Sequence, residues 1–321
     1  MIMTRMSTTA LPAGALRLTD WGLIEAQGAD AAKFLHGQLT QDVDHLNAGT
    51  ARIGGYCSAK GRLLASFIFW RPQPERVWLA CSADLLAPTL KRLSMFVLRA
   101  QCKLADASAR QAVWGLAGEA ATAWLGEAAP AAAWATTERN GAQIVRLPDA
   151  SATDGAAPCA RYLLVQPAEA PAPALPALEA ATWAALEVRS GVPRIVAATV
   201  EQFVPQMVNL ELVGGVSFQK GCYPGQEVVA RSQYRGTLKR RAMLFDSPVA
   251  LSPGQEIFHS ADPGQPAGLV ALAAARADGG ATALVEIKLA ACAEGSLHAL
   301  AADGPALQPV ALPYALPTEA A

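Results

Sequence analysis

Charge is scarce in this chain. Asp, Glu, Lys and Arg make up 17% of its 321 residues, and 26 basic against 27 acidic side chains leave a net charge of −1. That balance excludes a whole-molecule polyanion binder, so any nucleic-acid contact has to be a local patch. Paired cysteines are also lacking. Cys57, Cys81, Cys102, Cys159, Cys222 and Cys292 are scattered, with no CxxC. Such spacing argues against a structural zinc site or a disulfide framework and suits a reducing compartment. There is no P-loop and no GxGxxG; "GGVSFQKG" has its glycines at the wrong spacing. The longest apolar run, Leu63 to Trp70, is interrupted by Ser66 and is far short of a membrane span. The start, "MIMTRMSTTALPAGALRL", lacks the apolar core of a secretory signal. These absences predict a soluble, cytoplasmic protein that binds no metal through a cysteine cluster.

What is present is apolar residue, at 52%, which excludes general disorder. The length predicts two or three domains. "LRLTDWGLIEA" reads as two short strands around Thr19-Asp20. "GADAAKFLHGQLTQDV" opens a helix, with Asp30 as cap and Ala31, Phe34, Leu35 and Leu39 on one face. "ARIGGYCSAKGRLLASFIFW" reads as a hairpin turning at Lys60-Gly61, and "VWLACS" as a further strand. "ADLLAPTLKRLSMFVLRA" carries a helical stripe of Leu85, Leu86, Leu90, Leu93 and Val97. Strand patterns at "CKLADAS", "QAVWGLAG", "AQIVRL" and "RYLLVQP" alternate with helical ones at "EAATAWLGE" and Ala177 to Gly191, which predicts α+β packing. From Lys239 onward short strands are separated by turns such as "LSPGQ" and "ADPGQP", the texture of a small barrel or sandwich. The boundary falls near Gly236, giving regions 1–236 and 237–321.

Lys220 to Glu227, "KGCYPGQE", is too polar and too rich in Gly and Pro for a buried strand. Pro224 suits the first central position of a turn, and Gly225 the positive φ of the second. "QEVVARSQY" then starts a helix. A thiol just before a helix N-terminus, with Lys220 nearby, has the setting of a reactive cysteine; the same spacing also suits an inert turn cysteine. None of His36, His45, His259 and His298 carries a recognisable cysteine-protease signature. "ARSQYRGTLKRR" gathers Arg231, Arg235, Lys239, Arg240 and Arg241 without an acid, either as an anion site or as a solvated face. Of seven tryptophans, Trp21 and Trp183 sit where an element meets polar residues; their rings suit either stacking on a flat ligand or core filling.

"KGCYPGQEVVAR" resembles the signature of the YgfZ family, folate-binding proteins related to the T-protein (aminomethyltransferase) of the glycine cleavage system. The resemblance extends through "GADAAKFLHGQLTQDV", "GGYCSAKGRLLASFIFW", the stretch from "SGVPRIVAATVEQF" to the signature, and the tail "LPYALP". It implies a tetrahydrofolate-binding region of two intertwined α+β lobes plus a C-terminal β-barrel, the three lobes arranged as a ring. It places the folate, tetrahydrofolate or a derivative such as 5-formyltetrahydrofolate, against Trp21 and Trp183. It makes Cys222 the functional thiol, within a motif of Lys220, Gly221, Tyr223, Gly225, Gln226, Glu227 and Arg231. It implies an accessory protein for assembly or repair of iron-sulfur clusters, its clients including a tRNA methylthiotransferase, rather than a turnover enzyme.

Two departures bear on chemistry. The aminomethyltransferase relatives carry paired aspartates in the strand after the hairpin, where this chain has Ala65 and Ser66. A glutamate that contacts the pterin is expected at Arg189, a reversal of charge. Both argue against aminomethyl transfer. The rival expectations are a folate-dependent one-carbon transferase on another substrate, and a direct tRNA-binding module acting through Arg231 to Arg241.

Overall fold

The computed structural model describes residues 12–151, 157–234, 238–292 and 294–317. Arg235 and Gly236 lie outside the described residues. Three antiparallel sheets carry the structure. The first orders β1 (Gly14–Arg17), β7 (Gln111–Ala117), β10 (Cys159–Pro167), β9 (Ala142–Ala150) and β8 (Thr136–Arg139). The second orders β3 (Ala51–Cys57), β4 (Leu63–Gln73), β5 (Arg76–Ser82), β2 (Trp21–Gln27) and β6 (Lys103–Asp106). The third is a six-stranded sheet of β15 (Leu297–Ala299), β12 (Glu256–His259), β13 (Asp262–Ala275), β14 (Ala281–Lys288), β11 (Arg240–Ser247) and β16 (Gln308–Val310).

The first two sheets are threaded through each other. β1 belongs to the first sheet, the chain then builds the second with β2 to β6, and β7 returns to pair with β1. The Thr19-Asp20 turn therefore joins two sheets rather than two arms of a hairpin. β3 and β4 do form the expected hairpin. Trp21, Leu23, Trp70, Trp78, Leu163, Trp183 and Leu186 fill one core between the two sheets. The other face of the second sheet is covered by α1 (Ala31–His36), α2 (Ala83–Ser94) and the returning segment with Phe203, Val208, Leu210 and Tyr223. α3 (Gly118–Leu125) lies on the first sheet.

Helix ends differ from the sequence expectations. α1 stops at His36, and Leu39 bridges instead to Tyr56. Asp30 precedes α1 without capping it; its carboxylate accepts the Gln101 N–H at 2.8 Å. α2 ends at Ser94, so Val97 falls past the helix. β8 and β16 carry no clear period in the sequence and form because neighbouring strands offer open edges.

α4 (Ala180–Arg189) joins the three parts. Trp183 and Leu186 enter the core between the first two sheets, while Val188, with Ala184 and Ala185, packs on Ala242, Leu244, Leu272 and Leu284 of the third. α5 (Gln226–Tyr234) precedes the third sheet. Behind it, Arg241 pairs with buried Glu211, and Asn209 Nδ2 donates to Ala242 O at 2.8 Å. The tail closes over this junction, where the Tyr314 hydroxyl donates to Gly191 O at 2.8 Å. Among the described residues no helix is long and apolar enough to cross a membrane.

Candidate functional site

A small cleft, partly open to solvent, lies between the first two sheets and the end of α4. Its apolar walls include Trp21, Ile53, Ile68, Trp134 and Leu147, and its polar groups are Ser66, Arg161, Glu187, Ser190 and Arg194. β2 supplies Trp21 through its first residue; the middle of β4 supplies Ser66 to Ile68.

The charges in this cavity are buried and mutually arranged. Arg194 Nη2 donates to Asp20 Oδ2 at 2.8 Å and to Glu187 Oε2 at 3.3 Å, and its guanidinium lies over the Trp21 ring, 5.0 Å from the centroid. Burial raises the Glu187 carboxyl above the ordinary range, with Arg194 opposing. Against the downward pull of burial, Glu187 and Asp20 raise Arg194. Arg161 donates through Nη2 to Pro148 O at 3.0 Å, and burial pushes it down to about 10. Ser66 Oγ accepts the Ile195 N–H at 2.9 Å, so this hydroxyl holds backbone where the relatives' aspartates are expected. The indole N–H of Trp21 and Nε of Arg194 have no hydrogen-bond partner, although Glu187 stands close enough to Trp21 to feel its N–H. A carboxylate and two guanidiniums beside aromatic walls suit a flat ligand with ring nitrogens and carbonyls.

Trp21 lines this cavity, and Trp183 does not. Trp183 is 2% exposed and lies beneath Arg161, whose guanidinium is 5.6 Å from its ring centroid. A Cβ on Gly115 would come within 2.8 Å of that indole. Trp183 therefore supports the floor rather than forming a wall. The acid on α4 is Glu187, not the expected position 189. Arg189 leaves the cavity and donates to Asp246 Oδ1 at 3.0 Å. Glu187 follows Trp183 by four residues and so shares its helical face, a periodicity that could have identified it. Trp134, at φ 67° in a loop, and Arg161, inside a strand, carried no such signal.

The signature residues form a second locus and none of them lines the cavity. Gly225 has φ 78°, and a Cβ there would come within 2.6 Å of Gly61 in the hairpin turn. Lys220 is buried, donating to the carbonyls of His36 and Leu39, the latter at 2.8 Å, and its ammonium lies 4.8 Å from the Tyr223 ring centroid. Burial pushes Lys220 down to about 8. Tyr223 is buried while Cys222 is exposed. Gln226 begins α5; Glu227 and Arg231 form an exposed pair at 3.0 Å. β4 connects the loci: Leu63, at its start, follows the turn that Gly225 packs on, and Ser66 lies three residues on, roughly 10 Å of strand.

The expected basic run is largely neutralised. Arg231 pairs with Glu227, Arg240 with Glu286 and Arg241 with Glu211. Arg241 is buried, so these residues do not make one free cationic face. Among the described residues, no group of three or more His, Cys, Asp or Glu is placed to hold a metal ion.

Comparison with known proteins follows this geometry. No family model matches the chain. The crystal structure of the glycine cleavage system aminomethyltransferase T from Bartonella henselae superposes with a TM-score of 0.67 over 94% of this chain and 86% of that one, at 17% sequence identity. That likeness shows the fold. Curated proteins named tRNA-modifying protein YgfZ match in sequence, among them the following three. The protein of Edwardsiella ictaluri is 36% identical over 253 residues, 73% of this chain and 71% of its own length. Those of Yersinia pseudotuberculosis and Klebsiella pneumoniae are 31% identical over 246 residues and 30% over 256, covering 71% and 76% of their lengths. With that identity over most of both chains, on the fold of an aminomethyltransferase, this chain belongs to the YgfZ family.

Proposed function

We propose that this protein is a folate-binding accessory factor in tRNA modification, serving iron-sulfur enzymes such as a tRNA methylthiotransferase, with domains at 1–236 and 237–321. The observation that carries the reading is the cleft lined together by the Trp21 ring, Trp134, Glu187, Arg161 and Arg194, with the Arg194 guanidinium over Trp21. A reduced folate, when bound, supplies ring nitrogens able to carry a one-carbon unit. Trp21 and Trp134 would hold its flat ring, Glu187 would accept from ring N–H groups, and the guanidiniums would donate to its carbonyl oxygen. Ser66, already committed to the Ile195 N–H, supplies no carboxylate for steering one-carbon transfer, which supports an accessory role over aminomethyl transfer.

Calorimetric titration with 5-formyltetrahydrofolate and with tetrahydrofolate tests the reading. Saturable binding that weakens at least tenfold in Trp21→Ala supports it. Absence of heat with both ligands would remove folate from the account. A deletion strain complemented by wild type but not by Cys222→Ala tests the functional thiol; full rescue by the variant would remove it.

A further inference from the structure

The end of α2 carries a feature that neither the cleft nor the signature uses. Between Asp84 and Asp106 the chain has Lys91, Arg92, Arg99 and Lys103 and no acid. All four side chains are exposed, and none forms an ion pair among the described residues. The Asp30 carboxylate beside this segment is committed to the Gln101 N–H at 2.8 Å. Among these cations stand Met95, Phe96 and Leu98, exposed by 59%, 45% and 86%, three of the five exposed large apolar side chains among the described residues. They sit on a built turn. The N–H groups of Met95, Phe96 and Ala100 donate to the carbonyls of Arg92, Leu93 and Val97 at 3.2, 3.0 and 2.8 Å. Val97 and Ala100 pack on the core beneath. Leu98 holds φ 46°, the left-handed region that glycine or asparagine adopts easily and leucine does not. A strained backbone that keeps a large apolar side chain in water gains nothing for folding, and such strain belongs with binding. α1 links this turn to the signature: Asp30, at its start, holds Gln101, and His36, at its end, accepts from Lys220. Six residues of helix separate those ends by about 9 Å.

We infer that Met95, Phe96 and Leu98, rimmed by Lys91, Arg92, Arg99 and Lys103, are the docking site for a partner protein that offers an apolar pocket bordered by carboxylates. On the accessory-factor reading, on which this rests, that partner is the iron-sulfur client enzyme. Met and Phe anchors with arginines at their edge have the composition of a protein interface. Nucleic acid would engage the cations through phosphate and leave Met95 and Leu98 without a role. A bilayer would have only this one turn to take up, since the apolar stripe of α2 is spent on the core. The unpaired cations draw in an acidic surface, and the apolar side chains hold it once docked. A protein seated on the turn then lies one short helix away from the signature loop.

The experiment measures binding of the intact protein to a purified tRNA methylthiotransferase by surface plasmon resonance. Wild type is compared with Leu98→Asn, Phe96→Ser and the double variant Lys91→Glu, Arg99→Glu. Asparagine tolerates the left-handed backbone, so Leu98→Asn removes the apolar side chain without straining the turn. Expected is a dissociation constant raised about tenfold or more in Leu98→Asn and in Phe96→Ser, mainly through faster dissociation. The charge reversal is expected to slow association and to flatten its dependence on salt. Calorimetry with 5-formyltetrahydrofolate on the same variants is expected to match wild type, which shows fold and cleft intact; should Phe96→Ser lose that binding, Leu98→Asn and the charge reversal carry the comparison. Equal affinity of wild type and variants for the enzyme overturns the docking site and leaves the accessory reading standing. Wild type that ignores the enzyme but binds total tRNA, or phosphatidylglycerol vesicles, through these side chains overturns the protein partner. Wild type that binds none of the three overturns the docking site outright, while the folate reading stands or falls on the calorimetry alone.

Discussion

Glu187 and Arg189, two positions apart on α4, serve different faces of the helix: Glu187 meets Arg194 at 3.3 Å inside the cavity, and Arg189 meets Asp246 of β11 at 3.0 Å. Two residues rotate a helix by about 200°, so neighbours in sequence with opposite charge are separated by the helix body. Glu187→Gln is expected to weaken folate binding about 10–100-fold, since a buried acceptor and a charge are lost together. Arg189→Ala is expected to leave affinity unchanged and cost about 1–3 kcal/mol of stability. Calorimetry and urea unfolding on both variants separate these effects. Equal losses of affinity would detach the ligand from Glu187.

Trp21 and Trp183 are expected to part company in the same assays. Trp183→Ala opens a hole under Arg161 and against Gly115, at a cost of about 3–5 kcal/mol. Trp21→Ala, at the cavity wall, acts mainly on affinity. A Trp183→Ala protein that unfolds at the wild-type urea midpoint would contradict the packing described.

Arg241 and Glu211 form an ion pair with both side chains 5% exposed. Removing one partner strands the other. Arg241→Ala should lose about 3–5 kcal/mol, while the double replacement Arg241→Met, Glu211→Leu should lose much less. The comparison is made by chemical denaturation, and additive losses would refute the pairing.

Lys220 gives a pH signature with a definite sign. Burial brings it from its ordinary 10.5 down to about 8 in the folded protein. Between those values the unfolded chain binds more protons than the native one, so stability rises with pH from about 8 toward 10.5. Below pH 8 both states are protonated and the destabilisation is constant. Urea midpoints of wild type relative to Lys220→Met should therefore climb across that window. A flat difference would mean that the ammonium is not desolvated.

The hairpin of β3 and β4, the stripe of α2 and the short strands after Lys239 were legible because each follows a local period. The turn at Gly225 was legible too, since Pro-Gly fixes its dihedral angles. Motif spacing also singled out Cys222 and Lys220 before α5, while the exposure of the thiol and the burial of the lysine came from the fold. The Arg231 to Arg241 run misled, because a sequence shows charges without their partners, and Glu211 and Glu286 arrive from elsewhere.

The sequence by itself determined the α+β class, the strand-rich end, and the family to which the signature belongs, all of them properties of residue type and short spacing. Only the tertiary structure decided which residues meet. It put Trp21 in the cavity wall and Trp183 beneath it. It brought Arg161 and Trp134 to Glu187 from distant segments, and it set His36 against a loop 185 positions later, where Gly221 comes within reach of its imidazole. Those contacts depend on how two sheets interlace and how one helix is rotated between them, and both are set by long-range packing that no local pattern encodes.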